Sequence, residues 1–189
     1  MDSNGSHDLD SRRSLSIVAR MIGAAMLMRS VFEEIEADKS ATMQAVLVVI
    51  VVSIATGLGV LDSVGLRGML FSIPIAIVSW VVLAWIVFQV GTKMLPVPET
   101  HADWGQLART VGFAQAPGVF KVFGILPGAV GDVILLIVSL WMLIAMVVAV
   151  RHALDYTSTA RAIGVVLLGF IPYMLLLLTL LALLGNTQT

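Results

Sequence analysis

The sequence predicts an all-α protein: a polytopic membrane helix bundle of five transmembrane helices preceded by an amphipathic interfacial helix. Three observations carry this. Hydrophobic residues make up 59% of the 189 and charged residues only 12%, about half the roughly 25% of soluble domains. Mean hydropathy is +1.01. Beyond Ala41 the eleven remaining charged residues punctuate long charge-free runs at 41–61, 68–92, 133–150 and 162–189. A helix crosses hydrocarbon in about 20 residues, and lipid tolerates only segments that satisfy their own backbone.

The same counts exclude several functions. Net charge is −1, which gives nucleic-acid binding no electrostatic basis. The absence of Cys removes disulfides, thiol catalysis and Cys-ligated metal sites.

In chain order, residues 1–14 read as a disordered polar tail without the apolar core of a signal peptide. Residues 15–38 read as one amphipathic helix. Leu15, Val18, Met21, Ile22, Ala25, Met28, Phe32 and Ile35 share one arc at 100° per residue; Ser16, Arg20, Gly23, Ser30, Glu33 and Glu34 share the other. That pattern fits a helix in the membrane interface, apolar side down, or one packed on the bundle or a partner subunit.

The membrane domain, 41–185, is read as spans at about 43–62, 69–91, 107–125, 131–151 and 161–184. The third holds Arg109, Gln115, Pro117 and Lys121 and reads as a full span or a re-entrant segment. Charge decides between topologies. With five spans and the N-terminus inside, nine of the eleven Lys and Arg are inside; only Arg67 and Lys121 are outside. Four spans leave eight inside. The positive-inside rule therefore favours five, with the C-terminus outside. Asp62-Ser63-Val64-Gly65 and Leu126-Pro127-Gly128 read as outer turns, and 91–105 as the long inner loop.

No catalytic template is complete. His7, His101 and His152 are scattered, so cofactor-binding and metal residues are expected to be none. No G-x-S-x-G or G-x-x-x-x-G-K-[ST] motif occurs. Glu33-Glu34 resembles the paired glutamates of intramembrane prenyl-protein proteases, but the downstream Arg and intrahelical His of that family are absent. The expectation is a chain that is not an enzyme. Intramembrane charge points to transport, and only Lys121 qualifies, as a snorkelling stem or a functional cation. With Gln89 and Gln115 it could line a path. Ser53/Gly57, Ser72/Ala76, Ala145/Ala149 and Ala160/Gly164 are small-xxx-small pairs, which suit a compact bundle or an oligomer face. The expected partners are the lipid bilayer and a second copy or another membrane protein.

One family shows the same order of features. Val31-Phe32-Glu33-Glu34-Ile35-Glu36-Ala37-Asp38 leads into the first span. The third segment holds Phe113-Ala114-Gln115-Ala116-Pro117 and Gly124-Ile125-Leu126-Pro127. Trp141 lies in the fourth, and Ser158-Thr159-Ala160-Arg161-Ala162 precedes the fifth. Over roughly residues 20–184 the chain resembles the prokaryotic branch of the YIP family, the Ypt/Rab-interacting-protein-like membrane proteins. The resemblance implies five spans, an N-terminus inside a prokaryotic cytoplasmic membrane, and structural roles for Ala116, Pro117, Pro127, Trp141, Arg161 and Ala162. The Asp-Leu-Tyr-Gly-Pro motif of eukaryotic members is absent, so no GTPase role carries over.

Overall fold

The computed structural model describes residues 15–96 and 102–185. The polar tail 1–14, His101 and the Pro98 region lie outside the described residues. Among the described residues the structure is helical throughout, without a strand.

The lead segment is two helices, α1 (Ile17–Ala25) and α2 (Arg29–Ala37), rather than the single helix expected over 15–38. Leu27 sits in the left-handed region at φ 60. The Met28 N–H reaches the Gly23 carbonyl at 2.9 Å, and the Leu27 N–H reaches Ala24 at 3.0 Å. This paired capping satisfies the last carbonyls of α1 and reverses the chain. Glycine usually holds that position; here leucine does, so the sequence carries no stop signal.

The break lets the two halves bury different faces. In α1 the polar arc turns inward: Arg20 is 0% exposed and Gly23 is buried, while Val18, Ile22 and Met26 are 60%, 56% and 67% exposed. In α2 the apolar arc turns inward, burying Val31, Phe32 and Ile35. A continuous helix could not present both.

Next come α3 (Ala41–Gly59) and α4 (Leu61–Gln89), the latter extended by a π-helical turn, Val90–Met94. Gly65, at φ 65, breaks the first turn of α4 from the rest, where the outer turn is expected. The bundle thus has an arm end, carrying α1 and α2, and a turn end, carrying Gly65 and Leu126–Gly128.

The third segment is not one continuous helix over 107–125. It is α5 (Trp104–Phe113) followed by a 3-10 helix, Ala116–Ile125. Asp103 caps α5 in a reciprocal pair with Gln106, satisfying two orphan donors. Pro117 supplies no N–H and stands at the start of the 3-10 stretch. Ten 3-10 residues far exceed the usual three or four. Close packing offsets the poorer hydrogen bonds: a Cβ on Gly118 would stand 2.5 Å from Val52 Cγ1 and 3.0 Å from Met142 Sδ.

Last are α6 (Ala129–Ala153) and α7 (Thr159–Gly185). Three helices are long and apolar enough to cross a membrane by length and composition: Ala41–Gly59, Leu61–Met94 and Ala129–Ala153. One core of small and β-branched side chains joins them, including Val48, Val49, Ala84, Val111, Ala145 and Ala149. Ala145/Ala149 of the small-residue pairs is fully buried there. The flanks stay apolar, as with the exposed Phe71, Ile75 and Trp85 on α4.

Candidate functional site

Two polar constellations stand out from the apolar bundle. The first locks the arm end. The Arg20 guanidinium donates to Gln44 Oε1 at 2.9 Å, Glu34 Oε1 at 3.1 Å and Asp38 Oδ2 at 2.5 Å. Its Nε alone lacks a partner. Hydrogen bonds from Ser40 first, and from Arg20, hold the Asp38 carboxyl below the usual range. Arg109, buried on α5, donates to the Ile35 and Glu36 carbonyls at 3.2 and 2.6 Å. These are orphan acceptors at the C-terminus of α2, where a cation also meets the helix dipole favourably. Trp141 donates its indole N–H to the Ala25 carbonyl at 2.9 Å and stacks on Phe120 at 5.6 Å. Trp141 lies 12 residues before Ala153, about three turns along α6, so α1 descends along the flank rather than lying flat across the end.

Beside this lock is a polar cleft of about 280 Å³, lined by Arg29, Glu33, Glu36, Arg151, His152 and Asp155 among others. Arg151 ties the α6–α7 connection through the carbonyls of Tyr156 and Thr157 and the Thr159 hydroxyl. The Tyr156 hydroxyl lies within hydrogen-bond distance of the Gly91 and Leu95 carbonyls, at 3.0 and 2.7 Å, close to the π-helical turn. Among the described residues no three His, Asp or Glu converge to hold a metal ion.

Glu36 gives this cleft a pH dependence. Burial, then the charges of Asp155 and Glu33, push its carboxyl from 4.5 to about 7, with Arg109 opposing. The fold therefore favours the neutral acid, and the folded state holds more protons than the unfolded between those values. Stability falls as pH rises through that window. We expect the melting temperature in detergent to drop from pH 5 to pH 8, and Glu36→Gln to flatten that drop. The readout is wild type minus variant, because neighbouring groups titrate too; a difference constant across the range would refute the assignment.

The second constellation is a half-open cavity of about 540 Å³ lined by α4, the α5–3-10 junction, the 3-10 helix, α6 and α7. Its walls are mostly apolar, from Ile75, Leu83, Met142 and Phe170. Gln115, Lys121, Ser72, Ser79, Ser139 and Tyr173 add polar groups. Gln115 and Lys121 of the expected path line the same cavity; Gln89, half-buried in the last turn of α4, does not. Tyr173 and the serines gave no sign in the sequence, because single hydroxyls in apolar helices are common and only packing brings them together.

The remaining expected residues lie elsewhere in the bundle. Ala116 and Pro117 are buried at the start of the 3-10 helix, and Pro127 forms the turn before α6. Ala162 is buried, and Arg161 stands 6.0 Å from the Tyr156 ring. No family model, curated protein or solved structure matches the chain. Its three long apolar helices indicate an integral membrane protein.

Proposed function

We propose a five-span, non-catalytic protein of the prokaryotic cytoplasmic membrane, related to the YIP family, which organises its surroundings through lipid and helix–helix contacts. One observation carries this reading. α1 turns Val18, Ile22 and Met26 outward while its Arg20 is neutralised inward. That is a helix with a lipid-facing stripe, locked to the bundle by charge.

The five-span count rests on lengths and charge. α5 and the 3-10 helix rise about 15 and about 20 Å, enough together for a hydrocarbon core of roughly 30 Å. α7, with 27 residues, reaches about 40 Å. The inward bias of Lys and Arg places the N-terminus inside and the C-terminus outside. The chain has no Cys, so single cysteines can be labelled cleanly. Ser63→Cys, Leu126→Cys and Thr187→Cys should react from outside, and Ala102→Cys and Thr157→Cys from inside. Leu126→Cys reacting only from inside would sink the five-span arrangement. Mild detergent extraction tests the role: a monomer that retains no lipid and no partner refutes it.

A transporter is the second reading, favoured by Gln115 and Lys121 lining one cavity. Flux into liposomes that is unchanged by Lys121→Met would exclude that path.

A further inference from the structure

The cavity beside Lys121 sets polar side chains into a largely apolar wall. Most polar side chains in apolar helices turn back on their own backbone. Ser72 and Ser139 do so here, onto the Met69 and Leu135 carbonyls at 2.7 Å. Among the described residues the Lys121 ammonium, the Gln115 amide and the Tyr173 hydroxyl make no such bond, although all three line the same space. All three are half-buried and open onto this space, and polar groups left unpartnered in an apolar layer are costly. Their convergence on one space therefore calls for a ligand that accepts hydrogen bonds.

Three properties fix the chemistry of that ligand. Among the described residues the only charge on the wall is the Lys121 cation, so the head is anionic. The rest of the wall is largely apolar and continues from Lys121 past Ile75 to Leu83 and Met146, so the body is an apolar chain. The volume of about 540 Å³ falls within the roughly 300–1,000 Å³ typical of ligand pockets. Depth identifies the source. Lys121 precedes Ile125, the last 3-10 residue, by four positions, about 8 Å at 3-10 rise. Resting on the membrane-spanning reading above, that puts the ammonium within reach of the headgroup layer at the turn end.

The geometry points to a site for one anionic phospholipid of the surrounding bilayer, its phosphate on Lys121 and one acyl chain in the slot between α4, α6 and α7. Gln115 and Tyr173 lie further along the wall, where they can donate to ester carbonyls.

The test uses the full chain purified in detergent and mixed with equal amounts of dioleoylphosphatidylglycerol and dioleoylphosphatidylcholine, with bound lipid counted by native mass spectrometry. Wild type should retain phosphatidylglycerol preferentially. Lys121→Met should lower that preference about tenfold, the loss of one charge-assisted hydrogen bond, and Lys121→Arg should keep it. Ala76→Phe, which keeps the cation but fills the slot, should reduce retention of both lipids. Melting in lipid-free detergent checks that each variant is folded; if Lys121→Met fails to fold, Ala76→Phe decides. Equal retention of the two lipids by wild type overturns this site while leaving the lipid-contact function standing. Loss of all lipid overturns this site, and overturns the proposed function as well only if the protein is then also a monomer without a partner. Displacement of phosphatidylglycerol by stoichiometric oleate overturns the bilayer-phospholipid assignment in favour of a free carboxylate.

Discussion

Replacing Gly59 with alanine is expected to produce the largest loss of stability of any single methyl addition in this protein. A Cβ on Gly59 would run into the Lys121 carbonyl oxygen and approach Gly124 Cα at 3.5 Å. The obstacle is backbone, so no rotamer change relieves it. The clash is not isolated. A Cβ on Gly124 would meet the Gly59 oxygen at 2.9 Å, and one on Gly131 would meet the Gly124 oxygen at 2.5 Å. Three main chains, from α3, the 3-10 helix and the start of α6, lie against one another at the turn end. Overpacking commonly costs about 1–3 kcal/mol; with backbone on both sides Gly59→Ala belongs at or above about 3 kcal/mol on that scale. Gly164→Ala is the matched control, because its Cβ would meet only Leu95 Cδ1 at an ordinary 3.8 Å. It should leave stability unchanged or raise it by up to about 1 kcal/mol through helix propensity. Tryptophan-monitored melting of both in detergent checks the contrast. Equal melting temperatures for the two variants would show that the helices do not approach as closely as described.

Arg20→Met should release α1 from the bundle. The side chain is fully buried, but its acceptors Glu34 and Asp38 are about a quarter exposed. Water can therefore rescue the carboxylates when the guanidinium is gone. That places the cost at about 2–3 kcal/mol, below the roughly 3–5 of a wholly buried pair. Arg20→Lys should recover little, since one ammonium cannot span Gln44, Glu34 and Asp38 as a planar fork does. The expected signature is local: faster hydrogen exchange and proteolysis across residues 17–25, with α3 and α6 protected as in wild type. Loss of protection throughout the bundle would mean that Arg20 supports the whole fold instead of the arm. Protection of α1 unchanged from wild type would mean that the contacts of Gly23 and Trp141 hold it without the charge network.

The helices of the bundle could be read in the sequence because lipid imposes a long, charge-free length that composition records directly. Ala41–Gly59 and Ala129–Ala153 appear within a few residues of the expected 43–62 and 131–151, and Leu61–Met94 brackets the expected 69–91. The turns at Gly65 and Leu126–Gly128 also appear where small residues and Pro127 mark them. The break after α1 and the form of the third segment could not be read. The break after α1 uses Leu27 in a conformation that sequence rules assign to glycine, and α6 ends in the same capping pattern on Asp155 at φ 54. The third segment held a visible interruption at Pro117. Its ten-residue 3-10 form depends on how closely α3 and α6 approach it, which no local pattern encodes.

The candidate cavity divides in the same way. Lys121 and Gln115 were visible as rare polar residues in an apolar stretch. Tyr173, Ser79 and the exclusion of Gln89 were not, because each depends on which helix faces which across the bundle. Arg20 shows the reversal most clearly: its periodicity puts it on the polar arc, and the packed structure buries it together with Gly23. The sequence by itself determined the solvent, the apolar helices and the charge asymmetry, since these follow from the cost of moving each side chain into lipid. Tertiary structure decided which faces meet. In a chain apolar on nearly every side, hydrophobicity cannot tell one face from another; close backbone approach at glycines and a few charge-assisted hydrogen bonds make that choice.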